Sequence, residues 1–366
     1  MLVPPLDPGY TDVRRRFHRS TCLLYCGLIL FFAAALSKPS SGRPFKIAVL
    51  NAFVDTWRLQ MLETLKAAND ELKAKGLTTD LEIQSGNTDV QGQIAQIRSL
   101  LSRDIDALLF IPSSESALNP VLREVNQRGV KAIAITQDVT AKDVLGVMID
   151  QGGWAQVGAE WLVKTLDAKG NVIIVNGLAG APANEVRFKA VQQVFGAASQ
   201  IKVLNVVNGD WDQVRAQNVT SSILAAQPVV DGIWVSGAMS EGVLKALLAA
   251  NRNPLPAVTG DSNLGYLRLW QSALADHPDF KSIGIIDPPG LAATAALRLA
   301  VAILQGKKLK PDKLAGSFKN QLYIPLPNAI QENDLARALK EHSEEPNSRY
   351  VDVVADDSQI AELLQP

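Results

Sequence analysis

The chain has 366 residues, a formal charge of −1 and a composition that is 47% hydrophobic. That length and composition support a sizeable core divided between two domains. With no basic tract beyond Arg19, a nucleic-acid partner is excluded from the expectations. The only cysteines, Cys22 and Cys26, lie close to the N-terminus, so the remainder must be held by packing and not by disulfides.

The first recognisable element is Arg14-Arg15-Arg16-Phe17-His18-Arg19, followed by the apolar run Cys22 to Leu36. It reads as an export leader, with a basic start, an apolar stretch and small residues around Ala33–Ser37 where cleavage fits. A spanning helix needs roughly 20 apolar residues. The run is shorter, which favours a cleaved signal over a retained anchor. The arginines also faintly resemble a twin-arginine signal, and a lipidated cysteine would follow the run instead of opening it. Residues 1–36 are therefore expected to be a signal peptide, 37–44 a Pro/Ser/Gly linker, and the mature chain periplasmic.

Beyond the linker, short apolar strands alternate with amphipathic helices. Strands are predicted at Lys46–Leu50, Leu81–Gln84, Ala107–Ile111, Lys131–Thr136 and Leu145–Ile149, with helices at Trp57–Lys75, Gln91–Ser102 and Ala117–Arg128. A second series follows, with helices at Trp154–Leu166, Asn184–Ala198, Gln213–Ala226, Ser240–Ala250, Leu264–Ala275 and Leu291–Leu304. Its strands are Asn171–Val175, Lys202–Val207, Gly232–Val235, Ala257–Thr259 and Ser282–Ile286. Such a pattern predicts an α/β fold of two doubly wound parallel-sheet lobes. Ligands of such sheets bind beyond the carboxyl ends of the strands, so the loops there are the ones that matter.

No loop carries a catalytic kit. The first strand runs into Asn-Ala-Phe-Val-Asp-Thr-Trp, without the glycines a dinucleotide or triphosphate loop needs, and no G-x-S-x-G elbow occurs. The histidines His277 and His342 do not follow strands among carboxylates, so no metal site and no cofactor are expected, and the chain is not expected to be an enzyme. What the loops offer is aromatic faces beside hydrogen-bonding groups, a combination suited to a neutral polyhydroxylated ligand. Duller roles compete. Trp154 and Trp270 sit at helical spacing among apolar neighbours and read as core, while Asp55 and Asp212 read as helix N-caps. Arg187 alone reads as helical surface.

Ile47-Ala-Val with Trp57, Asp106-Ala-Leu-Leu-Phe-Ile-Pro-Ser-Ser-Glu, Gly177-Leu-Ala-Gly180 with Arg187, Gly209-Asp-Trp-Asp212, and Gly260-Asp261 together resemble the ribose-binding family of periplasmic sugar-binding proteins. The resemblance extends from Lys46 to about Lys308. It implies a type I solute-binding fold, with two lobes joined by three hinge crossings near Ile149–Gly153, Ile286–Gly290 and Gln321–Leu326, and a sugar held between them. The implied lobes are 45–150 plus 287–320 and 151–286 plus 321–345, with 346–366 as a C-terminal extension. The implied ligand-binding residues are Asn51, Trp57, Arg58, Ser114, Thr136, Gln137, Arg187, Trp211, Ser236, Asp261 and Asp287. Trp57 and Trp211 match ring-stacking positions, Arg187 a hydroxyl clamp, and Asp261 the carboxylate that pairs with it across the sugar. Thr136-Gln137 stands where the family often has Asp-Arg, Ser236 where it has asparagine, and Asp287 where it has glutamine, so ribose specificity does not carry over. A different pentose or hexose, or a polyol, is expected, delivered by a monomer to an ABC transporter permease. Presentation of the ligand to a chemoreceptor or sensor kinase is the alternative. A regulator of the same fold would need an N-terminal helix-turn-helix where this chain has its apolar leader.

Overall fold

The computed structural model describes residues 42–366, so the expected signal peptide and most of the expected linker lie outside the described residues. The first series comprises β1 (Ile47–Asn51), α1 (Thr56–Ala74), β2 (Glu82–Ser85), α2 (Val90–Leu101), β3 (Ala107–Ile111), α3 (Asn119–Gln127), β4 (Lys131–Ile135) and β5 (Leu145–Met148). The second comprises α4 (Gln151–Thr165), β6 (Lys169–Asn176), α5 (Pro182–Ala197), β7 (Gln200–Asn208), α6 (Gln213–Ala226), β8 (Gly232–Val235), α7 (Ser240–Ala249), β9 (Ala257–Asp261), α8 (Leu264–Asp276) and β10 (Ser282–Ile285). The chain then returns through α9 (Pro289–Leu304), β11 (Leu314–Ala315), β12 (Gln321–Tyr323), α10 (Glu332–Glu341) and α11 (Asp357–Leu363).

Two sheets result, ordered β11-β12-β5-β4-β3-β1-β2 and β10-β9-β8-β6-β7. All pairs are parallel except β11 with β12. Helices cover both faces of each sheet, which is why β1 and β3 are continuous apolar runs buried at every position. α9 is apolar nearly all round because it lies between the first sheet, α1 and α11. The expected type I fold is thus observed, with order reversals between β1 and β3 and between β6 and β8.

The chain crosses between lobes after β5, after β10 and after β12, where the three crossings were expected. One boundary differs. Gln321–Tyr323 was expected with the second lobe but pairs with β5 in the first sheet. The second lobe resumes only at Ile330, which bridges Gly284. The final segment also has a definite place, since α10 packs on α8 in the second lobe and α11 on α9 in the first. A fourth crossing therefore runs between α10 and α11.

Candidate functional site

Helix starts face the cleft between the lobes because short acceptors end the loops that follow the strands. Asp55 caps α1 by accepting from the Arg58 N–H at 2.7 Å, Asp212 caps α6 through the Arg215 N–H at 2.7 Å, and Asn263 caps α8 through the Tyr266 N–H at 3.2 Å. Trp57 and Arg58 project from the first turn of α1, and Trp211 from the loop before α6. Thr136, Asp210, Trp211 and Ala238 all line the cleft with left-handed backbones, at φ of +60°, +57°, +57° and +56°. Residues other than glycine pay about 1 kcal/mol or more for that conformation, so the surrounding packing must impose it.

An inner cavity of about 40 Å³ is lined by Trp57, Arg58, Thr136, Gln137, Arg187, Trp211, Asp261 and Asp287, all expected from the sequence. It meets a wider groove of about 840 Å³ at Asp55, Trp211 and Ala238. The expected residues Asn51, Ser114 and Ser236 do not line it. Asn51 ends β1 and donates to Ser85 Oγ at 3.0 Å and to the Phe53 carbonyl, which holds the loop carrying Asp55. Ser114 Oγ accepts from the Ala117 N–H at 3.2 Å and shapes the turn before α3. Ser236 contributes its carbonyl, which accepts from Arg187 Nη1 at 2.7 Å and from Trp211 Nε1 at 3.3 Å.

Arg187 is only 5% exposed, a poor fit to helical surface. Its Nε donates to Gln151 Oε1 at 2.7 Å and its Nη2 to Asp287 Oδ2 at 2.6 Å, while the guanidinium lies 4.0 Å from the Trp154 ring centroid. Trp154 is therefore core, as expected, and also the platform under that arginine. The carboxylate bonded to Arg187 is that of Asp287, at a crossing between lobes, and not that of Asp261. Arg58 pairs with Asp55, and its guanidinium sits 5.3 Å from Phe53 in its own lobe and 5.3 Å from Trp211 in the other. Trp57 Nε1 donates to the Asp287 carbonyl at 2.8 Å, so this ring is fixed against the crossing.

Two glycines make room for the arrangement. A methyl at Gly177 would meet the Trp211 indole at 2.2 Å. Gly237 has φ +80°, and a methyl there would come within 3.1 Å of Arg187 Nη1.

Asp261 is 1% exposed, and burial pushes its carboxyl up to about 6 against the opposing bond from the Asn263 N–H at 3.0 Å. Among the described residues, the buried polar atoms without a hydrogen-bond partner include Asp261 Oδ2, Asp287 Oδ1, Ser236 Oγ, Asn51 Oδ1 and Arg58 Nε. Unpaired buried atoms of this kind are expensive, and those of Asp261, Asp287 and Arg58 belong to residues that line the inner cavity. No group of three or more His, Cys, Asp or Glu side chains among the described residues is placed to hold a metal, and no helix there is long and apolar enough to cross a membrane.

Sequence reasoning missed Gln151, which orients Arg187, and Tyr350, which lines the inner cavity from the C-terminal segment. Gln151 opens a helix right after a crossing, and that position was its only signal.

Comparison with known proteins agrees with the fold. Residues 47–308 match the model of the periplasmic binding protein domain family. The chain is 26% identical over 242 residues to the xylitol-binding protein of Mycolicibacterium smegmatis, covering 65% of this chain and 68% of that one. The crystal structure of an ABC transporter solute binding protein from Thermobispora bispora superposes with a TM-score of 0.76 at 26% identity, covering 87% of this chain and 94% of that one. The fructose binding periplasmic domain of a hybrid two component system superposes with a TM-score of 0.68 at 17% identity, covering 82% and 96%.

Proposed function

The chain belongs to the periplasmic binding protein domain family, and we propose that it captures a neutral sugar or polyol between its lobes and delivers it to an ABC transporter permease. The observation that carries this reading is the balance of charge and unpaired atoms in the cleft. Arg58 and Arg187 are already paired with Asp55 and Asp287, which leaves the buried Asp261 as surplus negative charge. The unpaired carboxylate oxygens Asp261 Oδ2 and Asp287 Oδ1 are acceptors that call for donors. Ligand hydroxyls supply donors without charge, whereas a sugar acid or phosphate would bring like charge to a desolvated carboxylate. Trp57, Trp211 and Phe53 supply faces for the ligand's C–H surface.

Relatives named for xylitol binding and for ABC-transporter solute binding support this reading, and membership of the periplasmic binding protein domain family supports a periplasmic setting. Presentation of the ligand to a sensor is the second reading, since the same fold occurs in a two-component system. Loss of uptake of the bound compound on deleting this protein favours delivery, and intact uptake with a lost response favours sensing.

A thermal-shift panel tests the ligand class, because a compound that binds only the folded chain raises its melting temperature. Xylitol, D-allose, D-ribose and fructose are compared with gluconate and ribose 5-phosphate. A shift with at least one neutral compound and none with the two anions is expected. A shift with the anions alone contradicts the reading.

A further inference from the structure

The fourth crossing, Asn347–Ala355, lies beyond the region that the family model matches, which ends at 308. It is bonded to both lobes at once. On the second lobe, the carbonyls of Asn347 and Arg349 accept from Gly265 N–H at 2.9 Å and Leu264 N–H at 2.7 Å, and Val351 N–H donates to the Ser262 carbonyl at 3.0 Å. The segment thereby satisfies two of the free amides at the start of α8 and pairs alongside Ser262 and Asn263, the residues that directly follow Asp261. On the first lobe, Gln60 of α1 grips the backbone of Tyr350, accepting from its N–H at 2.8 Å and donating to its carbonyl at 3.1 Å. Asp352 accepts from the Gly290 N–H at 2.7 Å and from Thr64 Oγ1 at 3.1 Å.

Between these anchors the Tyr350 side chain turns into the cleft. It is 1% exposed, lines the inner cavity with Arg187, Asp261 and Asp287, and its hydroxyl lies 3.2 Å from Thr56 Oγ1. Burial holds its phenol well above the usual range, and the charges of Asp261, Asp55 and Asp287 push the same way. It is therefore a neutral hydroxyl that can both donate and accept, beside carboxylates that only accept and guanidiniums that only donate.

We propose that Asn347–Ala355 is a strap that ties both lobes to the cleft, and that Tyr350 is a specificity-determining residue whose hydroxyl bonds a ligand hydroxyl beside Asp261 and Asp287. The proposal rests on the reading of the cleft as a sugar or polyol site. A hydroxyl able to serve as donor or acceptor selects where along a polyol a hydroxyl must stand, which the fixed charges cannot do alone.

Two variants of the full chain test it. Tyr350→Phe keeps the ring and removes only the hydroxyl. With xylitol, D-allose, D-ribose and fructose as probes, it is expected to bind the best wild-type compound about tenfold more weakly, the loss of about one hydrogen bond, and to change the rank order of the four. Unchanged affinities and order overturn Tyr350's role. Gln60→Ala releases the strap from α1, and without any ligand it should speed amide exchange at Leu264 and Gly265, in the opposite lobe, while the Trp270 amide in the middle of α8 is unaffected. Unchanged exchange at those two amides overturns the tie. A wild-type chain that binds none of the four probes sinks the reading of the cleft and Tyr350's role with it, while the exchange result still decides the strap.

Discussion

Asp261 is a stability liability in its buried position. A carboxyl whose folded value is raised from 3.8 to about 6 binds its proton more tightly in the folded chain than in the unfolded one. Its contribution is therefore favourable below pH 3.8 and lost as pH rises towards 6. A rise of that size corresponds to about 3 kcal/mol. Asp261→Asn should remove that dependence, so the variant gains stability relative to wild type between pH 4 and pH 7, read as denaturant midpoints. A difference that does not change with pH would show that Asp261 is not the group concerned. Arg187 is the opposite case. Removing it leaves the partly buried Asp287 carboxylate without its partner, and Arg187→Ala should lower stability by up to about 3 kcal/mol in the same assay. Asp261 and Asp287 were legible in the sequence because each closes or follows a strand, whereas Arg187, inside α5, stood out only through the family resemblance. Their partners were not. Arg187 and Asp287 lie 100 residues apart and meet only because the crossing after β10 carries Asp287 under α5, so this bond could not be read from spacing.

Among the elements, those with a local cause were readable in advance. β1, β3 and β8 are buried on both faces and show as apolar runs, and Asp55 and Asp212 mark the helix starts they cap. β11 and β12 span two and three residues, too short for any periodicity, and β12 owes its place to pairing with β5. Tyr350 left no local signal either, because its burial depends on Gln60 and Asn263, far away in sequence. Close approach of elements can be tested at Gly177. A methyl there must displace the Trp211 indole from its bond to the Ser236 carbonyl and from the Arg58 guanidinium across the cleft. Gly177→Ala is expected to fold with little change in melting temperature and to bind the best neutral probe about tenfold more weakly, a loss of about 1.4 kcal/mol. Wild-type affinity would mean that the Trp211 ring is not part of the site.

In the whole molecule, groups from both lobes line one inner cavity. Arg58, Trp57 and Asp55 come from the first lobe, Arg187, Trp211 and Asp261 from the second, and Asp287 and Tyr350 from segments that pass between them. A ligand that touches both sets favours the closed arrangement by its differential contacts with it, so each lobe's contribution should be indispensable. Calorimetric titration of xylitol, D-allose, D-ribose and fructose into the wild type, Arg58→Ala and Arg187→Ala measures this directly. Saturable one-to-one binding of at least one compound by the wild type, and its loss in both variants, is expected. A wild type silent to all four, or either variant binding with wild-type affinity, would contradict it.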